Sequence, residues 1–238
     1  MIKFANIIKK YNKLEVLKGI DAEIQTGKVT SIVGPNGSGK TTLIKIILGL
    51  VKADFGSVEI DGKKINGDYD YRGNIGYMPQ IARYPENLTV YEVLTMIKDL
   101  RNRKDHPEEK LIKDFELSGE LTKAIRTLSG GNRQKLSAVI ALMFDPQILI
   151  FDEPTAGLDP VISNRFKEMV FVEKKKGKTI ILTSHIMSEV EELADEIIFL
   201  LDGKIYYKGS LQNLLIEKGE VKLEKAVAKI LEERALWN

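Results

Sequence analysis

Residues 34 to 42 read Gly34-Pro35-Asn36-Gly37-Ser38-Gly39-Lys40-Thr41-Thr42, and they stand between an apolar run, 29–33, and an apolar helical pattern, 41–50. This spacing fits the G-x-x-x-x-G-K-[ST] pattern, in which a strand leads through a glycine-rich turn into a helix. Glycines let backbone N–H groups converge on phosphate oxygens, and the helix N-terminus adds positive potential. We expect all nine residues to bind ATP, with Lys40 at the β- and γ-phosphates and the Thr41 hydroxyl at Mg²⁺.

The composition of the 238 residues is that of an ordinary globular protein, with 43% hydrophobic and 29% charged residues. The net charge is only +2. The sequence has no block of basic residues of the kind that would indicate a nucleic-acid partner. The absence of cysteine excludes disulfides and thiolate metal sites. The longest apolar run, 138–144, is far short of the roughly 20 residues of a membrane-spanning helix, and the first residues lack an apolar signal core. We therefore expect a cytoplasmic chain that does not itself cross a membrane.

Three kinds of pattern divide the chain. Residues 2–8 and 16–24 are rich in β-branched and apolar residues, which is typical of strands. Residues from about 81 to 146 read mostly as helices, whereas strand and helix patterns alternate after them, and residues from about 210 to 238 form a helical tail. These patterns predict one α/β domain over residues 1–238. Its expected parts are a P-loop NTPase core with a mixed or parallel sheet, an N-terminal antiparallel β-subdomain and an inserted α-helical subdomain.

An apolar strand ends in two acids at Ile148-Leu149-Ile150-Phe151-Asp152-Glu153. A buried strand has no packing reason to end in this way. Asp152 fits the residue that holds Mg²⁺ through water, and Glu153 then stands where a base could polarise an attacking water. Taken without the phosphate loop, a solvated strand end would be an equal alternative.

A second anion-binding pattern opens the last helix of the inserted region, at Leu128-Ser129-Gly130-Gly131-Asn132-Arg133-Gln134. A simple helix cap is the alternative, but a cap needs only Ser129, and two glycines weaken a helix start. Two phosphate-seeking elements in one chain indicate that each serves a different nucleotide.

Together these motifs resemble the nucleotide-binding subunits of ABC transporters, over about residues 4–209. By this resemblance Tyr11 stacks on adenine, and Gln80 contacts Mg²⁺ and the attacking water and links to the membrane partner. Asp159 closes the loop that reaches across the dimer, and His185 holds the γ-phosphate. Taken alone, such a tyrosine is more often half-buried packing, and such a histidine is more often a surface or capping residue.

Two features depart from the simplest pattern. The family signature usually ends in glutamine, whereas Asn132 stands at that position; this shorter amide leaves the backbone groups of Ser129 and Gly131 in place. The acids of 189–196 are dense, and we interpret them as a solvated helix face: Glu189, Glu191, Glu192, Asp195 and Glu196.

The resemblance implies a second copy of the chain as partner. One chain supplies one phosphate loop, so the γ-phosphate stays open on one side until Ser129 and Gly131 of a head-to-tail copy close it. ATP would hold the two chains together, and hydrolysis would release them and drive a transmembrane permease. A soluble ABC ATPase acting on ribosomes or DNA is an alternative, although such chains have two cassettes or long coiled-coil insertions. Glu153 and His185 argue against a scaffold without catalysis.

Three stretches carry a resemblance to particular types of transporter. Residues 154–160 and 184–191 are similar to subunits of ABC-2-type exporters, and Ile186 stands where importer subunits commonly carry aspartate. Residues 75–89 resemble the ATPase of the NosDFY transporter, which serves copper-site maturation of nitrous oxide reductase and implies a periplasmic accessory protein. Exporters of drugs, lipids or polysaccharides are the alternative. Either implies attachment to the inner face of the cell membrane through the permease.

Overall fold

The structure is a computed structural model that describes residues 1–65, 67, 69–103 and 108–235. Residues 104–107 of the predicted helical segment and 236–238 of the predicted tail lie outside the described residues. The described strands are β1 (Ile2–Tyr11), β2 (Leu14–Ile24), β3 (Val29–Val33), β4 (Phe55–Ile60), β5 (Lys63–Lys64), β6 (Ile75–Met78), β7 (Ile148–Asp152), β8 (Thr179–Thr183), β9 (Glu196–Leu201) and β10 (Lys204–Ser210). The described α-helices are α1 (Lys40–Ile47), α2 (Val90–Leu100), α3 (Glu108–Asp114), α4 (Gly130–Leu142), α5 (Pro160–Lys175), α6 (Met187–Leu193), α7 (Leu211–Lys218) and α8 (Leu223–Ala235).

The chain forms two compact units. The first unit comprises Met1–Tyr71 and Thr179–Asn238, and the second comprises Arg72–Lys178. In the first unit β3 leads into the phosphate loop, and in the second β7 ends at the acid pair Asp152-Glu153.

An antiparallel sheet of order β2-β1-β4-β5 lies in the first unit. Alternate side chains of β1 are buried, beginning with Ile2 and Phe4, as expected for a strand with one covered face. The alternation shifts before Ile7, where the β1–β2 register also shifts and Asn6 adopts a left-handed φ of 48°, which is the mark of a β-bulge. The predicted N-terminal antiparallel subdomain is therefore confirmed.

The first unit also contains four strands in the order β10-β9-β3-β8, of which β3 is parallel to both β8 and β9, whereas β10 is antiparallel to β9. Every residue of β3 and β8 is buried, which is why neither sequence alternates between apolar and charged residues. β9 and β10 form a hairpin whose turn residues, Asp202 and Gly203, both have positive φ angles, as two-residue hairpin turns require.

The second unit combines a parallel pair, β6 and β7, with the helices α2 to α5. α2 begins at a capping box: the Glu92 backbone N–H donates to Thr89 Oγ1 at 3.2 Å, and the Thr89 N–H donates to the Glu92 carboxylate at 2.7 Å. α4 begins at Gly130 with Ser129 as its cap. The inserted helical subdomain is therefore confirmed.

The C-terminal helices α7 and α8 pack within the first unit. Leu223 and Ala226 of α8 are fully buried in an apolar cluster with Val190 of α6 and Phe199 of β9. Not every apolar residue of α8 joins this cluster, because Leu231 remains 39% exposed. The apolar side of α8 thus completes the core beside α6.

The interpretation of the acids of 189–196 as a solvated helix face is wrong for four of the five, whereas Glu192 is exposed as expected. Glu189 is buried and accepts a hydrogen bond from Ser184 Oγ, and Glu191 accepts one from the Leu223 backbone N–H at the start of α8. Asp195 accepts from the Val29 N–H at 2.9 Å, and Glu196 pairs with Lys28 at 2.6 Å. These carboxylates join α6 and β9 to elements that are distant in sequence, which helical periodicity cannot reveal.

The helices are short, and α5 is the longest in the described ranges at 16 residues. None of the helices that the structure describes is both long enough and apolar enough to cross a bilayer.

Candidate active site

The phosphate loop follows β3 and leads directly into α1 in the first unit. Gly34 and Gly39 have φ angles of 153° and 108°, which side-chain-bearing residues rarely adopt. A Cβ at Gly34 would lie 1.9 Å from the Leu200 carbonyl oxygen, and a Cβ at Gly39 would lie 2.6 Å from Leu17 Cδ2. The loop backbone therefore fits against β9 and β2 only because these positions carry no side chain, and this close fit shapes the cradle.

Lys40 folds back over this loop. Its ammonium group donates to the carbonyl oxygens of Gly34 at 2.7 Å and Pro35 at 3.1 Å. Ser38 is buried, and its hydroxyl oxygen has no hydrogen-bond partner among the described atoms. Since a buried polar group without a partner is costly, this oxygen and the Lys40 cation fit an anion bound in the cradle. Thr41 is exposed and Thr42 half-buried at the first turn of α1.

His185 leaves the sheet at the same edge as the phosphate loop. β8 runs parallel to β3, with Ile32 paired to Thr183, so the loops after both strands begin side by side. Ser184 Oγ donates to Glu189 at 3.2 Å and accepts from the Ile186 N–H at 3.0 Å, which fixes the backbone on both sides of His185. His185 itself is exposed.

Tyr11 is the last residue of β1 and is 44% exposed. The Lys9 ammonium lies 5.4 Å from the centroid of its ring, within the range of a cation–π contact. The exposed ring meets the basic requirement for stacking on a planar ligand.

The second unit brings Gln80 close to the paired acids. β6 is parallel to β7 with Met78 paired to Phe151, so Gln80 and the Asp152-Glu153 pair follow neighbouring strands at one edge. Asp152 and Glu153 are 3% and 9% exposed, which contradicts a solvated strand end. Burial, and then the negative charge of Asp152, raise the pKa of Tyr77 to about 12.

The signature residues lie at the start of α4. Ser129 is exposed and its Oγ accepts from the Asn132 N–H at 3.2 Å, so the residue is a helix cap in this structure. The cap uses the oxygen as an acceptor and leaves the hydroxyl hydrogen as a donor. Gly130 is exposed and Gly131 half-buried beside it.

Asp159 caps the following helix, α5. Its carboxylate accepts from the backbone N–H groups of Val161 and Ile162, both at 3.0 Å. The bond from the Ile162 N–H chiefly holds the pKa of Asp159 below its ordinary value. Asp159 is therefore ionised and fixed at the end of the loop that the sequence predicts to reach a partner.

Two positioning contacts in these regions have only weak sequence signals. Glu189 stands within an acid-rich stretch that looks solvent-facing, and its contact with Ser184 appears only in three dimensions. Gln134 lies within the signature pattern as an ordinary polar helix residue, yet it is buried and contacts Glu153. A polar residue on the apolar side of a helix is the one signal that could have identified it.

Residues 17–156, more than half of the sequence, match the family described as ABC transporter. The chain belongs to the ABC transporter family. The lantibiotic transport ATP-binding protein SrtF of Streptococcus pyogenes is 35% identical over 206 residues, which cover 86% of this chain and 89% of SrtF. The uncharacterized ABC transporter ATP-binding protein MJ1023 of Methanocaldococcus jannaschii is 31% identical over 252 residues, covering 98% of this chain and 91% of that protein.

Solved structures of ABC cassettes share the fold over nearly their full length. The ATP binding subunit of an ABC transporter matches with a TM-score of 0.90 at 27% identity, covering 97% of this chain and 99% of that chain. The dimeric bacterial cassette MJ0796 matches with a TM-score of 0.82 at 29% identity, covering 89% and 99%. MJ0796 is also known as a dimer in a post-hydrolysis state with ADP and phosphate, which matches with a TM-score of 0.81 at 28% identity over 89% of this chain and 99% of that chain. The predicted fold class is confirmed, and the chain is an ATP-binding ABC subunit and an ATPase.

Replacing Lys40 should weaken nucleotide binding. Lys40→Ala removes the ammonium group that lies over the phosphate loop, so the affinity for a fluorescent ATP analogue should fall about 10- to 100-fold. Lys45→Ala, at an exposed position of the same helix, is the matched control and should bind as the wild type does. Equal affinities of the two variants would contradict the assignment of this loop.

Proposed function

We propose that the chain is the ATP-hydrolysing subunit of an ABC-2-type exporter, in which two copies close head to tail over ATP and Mg²⁺. The observation that carries the proposal is the phosphate loop, whose close backbone approach at Gly34 and Gly39 depends on the missing side chains. Membership of the ABC transporter family supports it.

The donor groups fit both ligands. The Ser38 hydroxyl, the Lys40 ammonium and the N-terminus of α1 are suited to phosphate oxygens. Mg²⁺ prefers oxygen ligands, and the hydroxyl of Thr41, the amide oxygen of Gln80 and the carboxylate of Asp152 would supply them, the last through water. The ion would neutralise charge on the β- and γ-phosphates.

We assign the chemistry of hydrolysis to side chains that position water and stabilise charge. The Glu153 carboxylate would polarise the attacking water as general base. His185 would hold the γ-phosphate, and Lys40 would offset negative charge that develops during transfer. Tyr11 would stack on adenine, which positions the nucleotide without taking part in the reaction.

Replacing the proposed base should separate binding from turnover. Glu153→Gln keeps the size of the side chain but removes its basicity, so kcat should fall at least about 100-fold while ATP affinity is retained. Glu168→Gln, an exposed acid on α5, should keep the wild-type kcat. Phosphate release measures turnover, and light scattering should show ATP-dependent dimers of Glu153→Gln. Near-wild-type turnover of this variant would reject Glu153 as the base.

The head-to-tail dimer would complete each site with residues of two copies. Ser129, Gly130 and Gly131 would bind the γ-phosphate held by the partner's phosphate loop, and Asp159 would end the loop that reaches across. The capped start of α4 supports this role, because Ser129 and Gly130 are exposed and the cap uses the Ser129 oxygen only as an acceptor. The dimeric state of the similar cassette MJ0796 also supports it.

Mixing two inactive variants tests the shared sites. Ser129→Arg should bind ATP but not hydrolyse it, because the bulky cation blocks the partner's nucleotide. A heterodimer of Ser129→Arg with Lys40→Ala has one intact site and one doubly broken site. With random pairing of equal amounts, about half of the dimers are heterodimers, and each has one intact site of two. Mixing should therefore restore roughly a quarter of wild-type activity if the sites act independently.

The control for this mixing experiment is Ser118→Arg, which introduces the same cation at an exposed serine of the second unit and should stay active. Circular dichroism checks folding, since losing the Ser129 cap costs about 0.5–2 kcal/mol. Full activity of Ser129→Arg, or no recovery on mixing two folded variants, would contradict the interlocked dimer.

The transporter type is proposed from residues 75–89, 154–160 and 184–191, which are similar to ABC-2 exporter subunits and, in the first stretch, to NosF of the NosDFY transporter. In this proposal the chain lies on the inner face of the membrane, attached to its permease, with a periplasmic accessory protein on the other side. The 35% identity to SrtF instead favours a lantibiotic transporter as the second candidate.

Deleting the gene in its native organism separates the two candidates. Nitrous oxide reductase purified from the deletion strain should lack copper, because the transporter that supports copper-site assembly has no ATPase. The wild-type gene should restore the metal content and the Glu153→Gln gene should not. Normal copper content would reject the NosDFY assignment, and increased sensitivity to a lantibiotic would favour the alternative.

A further inference from the structure

α4 lies directly against the loop that follows β7. A Cβ at Gly131 of α4 would lie 3.1 Å from the carbonyl oxygen of Gly157. At the other end of the helix, a Cβ at Gly76 of β6 would lie only 1.9 Å from the Ala141 carbonyl oxygen. The glycines at 76 and 131 therefore let the backbone of α4 pack closely against β6 and against the loop after β7.

Gln134 is one helical turn after Gly131 and lies on the same face. It is only 5% exposed, and its Nε2 donates to the backbone carbonyl oxygen of Glu153 at 3.3 Å. The face continues with the buried small residues Ala138 and Ala141. A buried amide among small apolar residues is costly unless it is hydrogen-bonded, so this contact is the physical reason that a glutamine is compatible with the position.

The acceptor belongs to a residue with unusual backbone geometry. Glu153 has a φ angle of 53°, a left-handed conformation that residues other than glycine rarely adopt. The Ala156 N–H donates to the same carbonyl oxygen, also at 3.3 Å. Such a conformation persists where the surroundings hold it, and Gln134 is the side chain of α4 that donates to this peptide.

We propose that Gln134 is a positioning residue for ATP hydrolysis. Its amide fixes the Glu153 peptide in the left-handed conformation, and this conformation determines where the Glu153 carboxylate points. Without the amide donor, the peptide can rotate and the carboxylate loses its alignment with the attacking water. The inference rests on the proposed role of Glu153 as general base.

Gln134→Met removes the donor while keeping a similar length and volume. We expect kcat to fall about 10- to 100-fold, because small misplacements of a catalytic group have effects of this size. The KM for ATP, the nucleotide affinity and the thermal midpoint should stay close to wild type. Gln134→Met combined with Glu153→Gln should still form ATP-dependent dimers in light scattering. Leu136→Met, a conservative change at a buried neighbour on α4, is the packing control and should keep its kcat.

Gln134→Glu adds a pH-dependent readout of the donor role, provided that its thermal midpoint is the same at each pH. A neutral carboxyl group can donate to the Glu153 carbonyl oxygen, whereas an ionised one cannot and repels it. Burial raises the pKa of a carboxyl group toward neutrality. The ratio of the kcat of Gln134→Glu to that of the wild type should therefore rise as the pH falls from about 8 to about 6. The same ratio for Gln134→Met should stay flat.

The outcomes separate this inference from the proposed function. If Glu153→Gln retains its turnover, Glu153 is not the general base, and the inference about Gln134 fails together with the proposed function. If Glu153→Gln is inactive but Gln134→Met has the wild-type kcat, only the positioning role of Gln134 is rejected. Loss of nucleotide binding or dimer formation along with kcat would make Gln134 a packing residue and overturn the inference. Should Gln134→Met fail to fold, a flat pH ratio for Gln134→Glu would overturn it and a rising ratio would support it.

Discussion

The register of two parallel strand pairs determines where this chain presents its chemical groups. Neighbouring parallel strands end at the same edge of a sheet, and ligand-binding loops follow these ends in α/β proteins. In the first unit the pairing of Ile32 with Thr183 starts the phosphate loop beside the His185 loop. In the second unit the pairing of Met78 with Phe151 brings Gln80 and the Asp152-Glu153 pair to the same edge of the sheet. A slip of one residue in either pair would turn each side chain to the opposite face.

Features that depend on adjacent residues could be predicted from the sequence. β3 has the expected bounds, 29–33, because a run of five residues leaves little ambiguity when Lys28 and Gly34 stand at its ends. The starts of α2 and α4 were predictable for the same reason, since Thr89 and Ser129 cap helices through backbone N–H groups only three residues away. The phosphate loop is likewise encoded within nine residues.

Features that depend on partners distant in sequence could not be predicted. Glu191 reads as a surface acid until α8 brings the Leu223 N–H to it, 32 residues later in the chain. Asp195 likewise meets Val29 across 166 positions. The left-handed backbone of Glu153 is also absent from any local pattern, because glutamate has no preference for that conformation. The sequence thus locates the acid, but its orientation depends on packing.

α4 connects two parts of the proposed site within one rigid element. The capping Ser129 and the buried Gln134 are five residues apart, which corresponds to about 7.5 Å along a helix. Ser129 faces outward, where a partner's nucleotide would bind, whereas Gln134 holds the Glu153 peptide of its own chain. A helix does not stretch over such a distance, because its backbone hydrogen bonds join each turn to the next. The Gln134 amide therefore links the helix that carries the signature to the Glu153 carbonyl oxygen of the same chain.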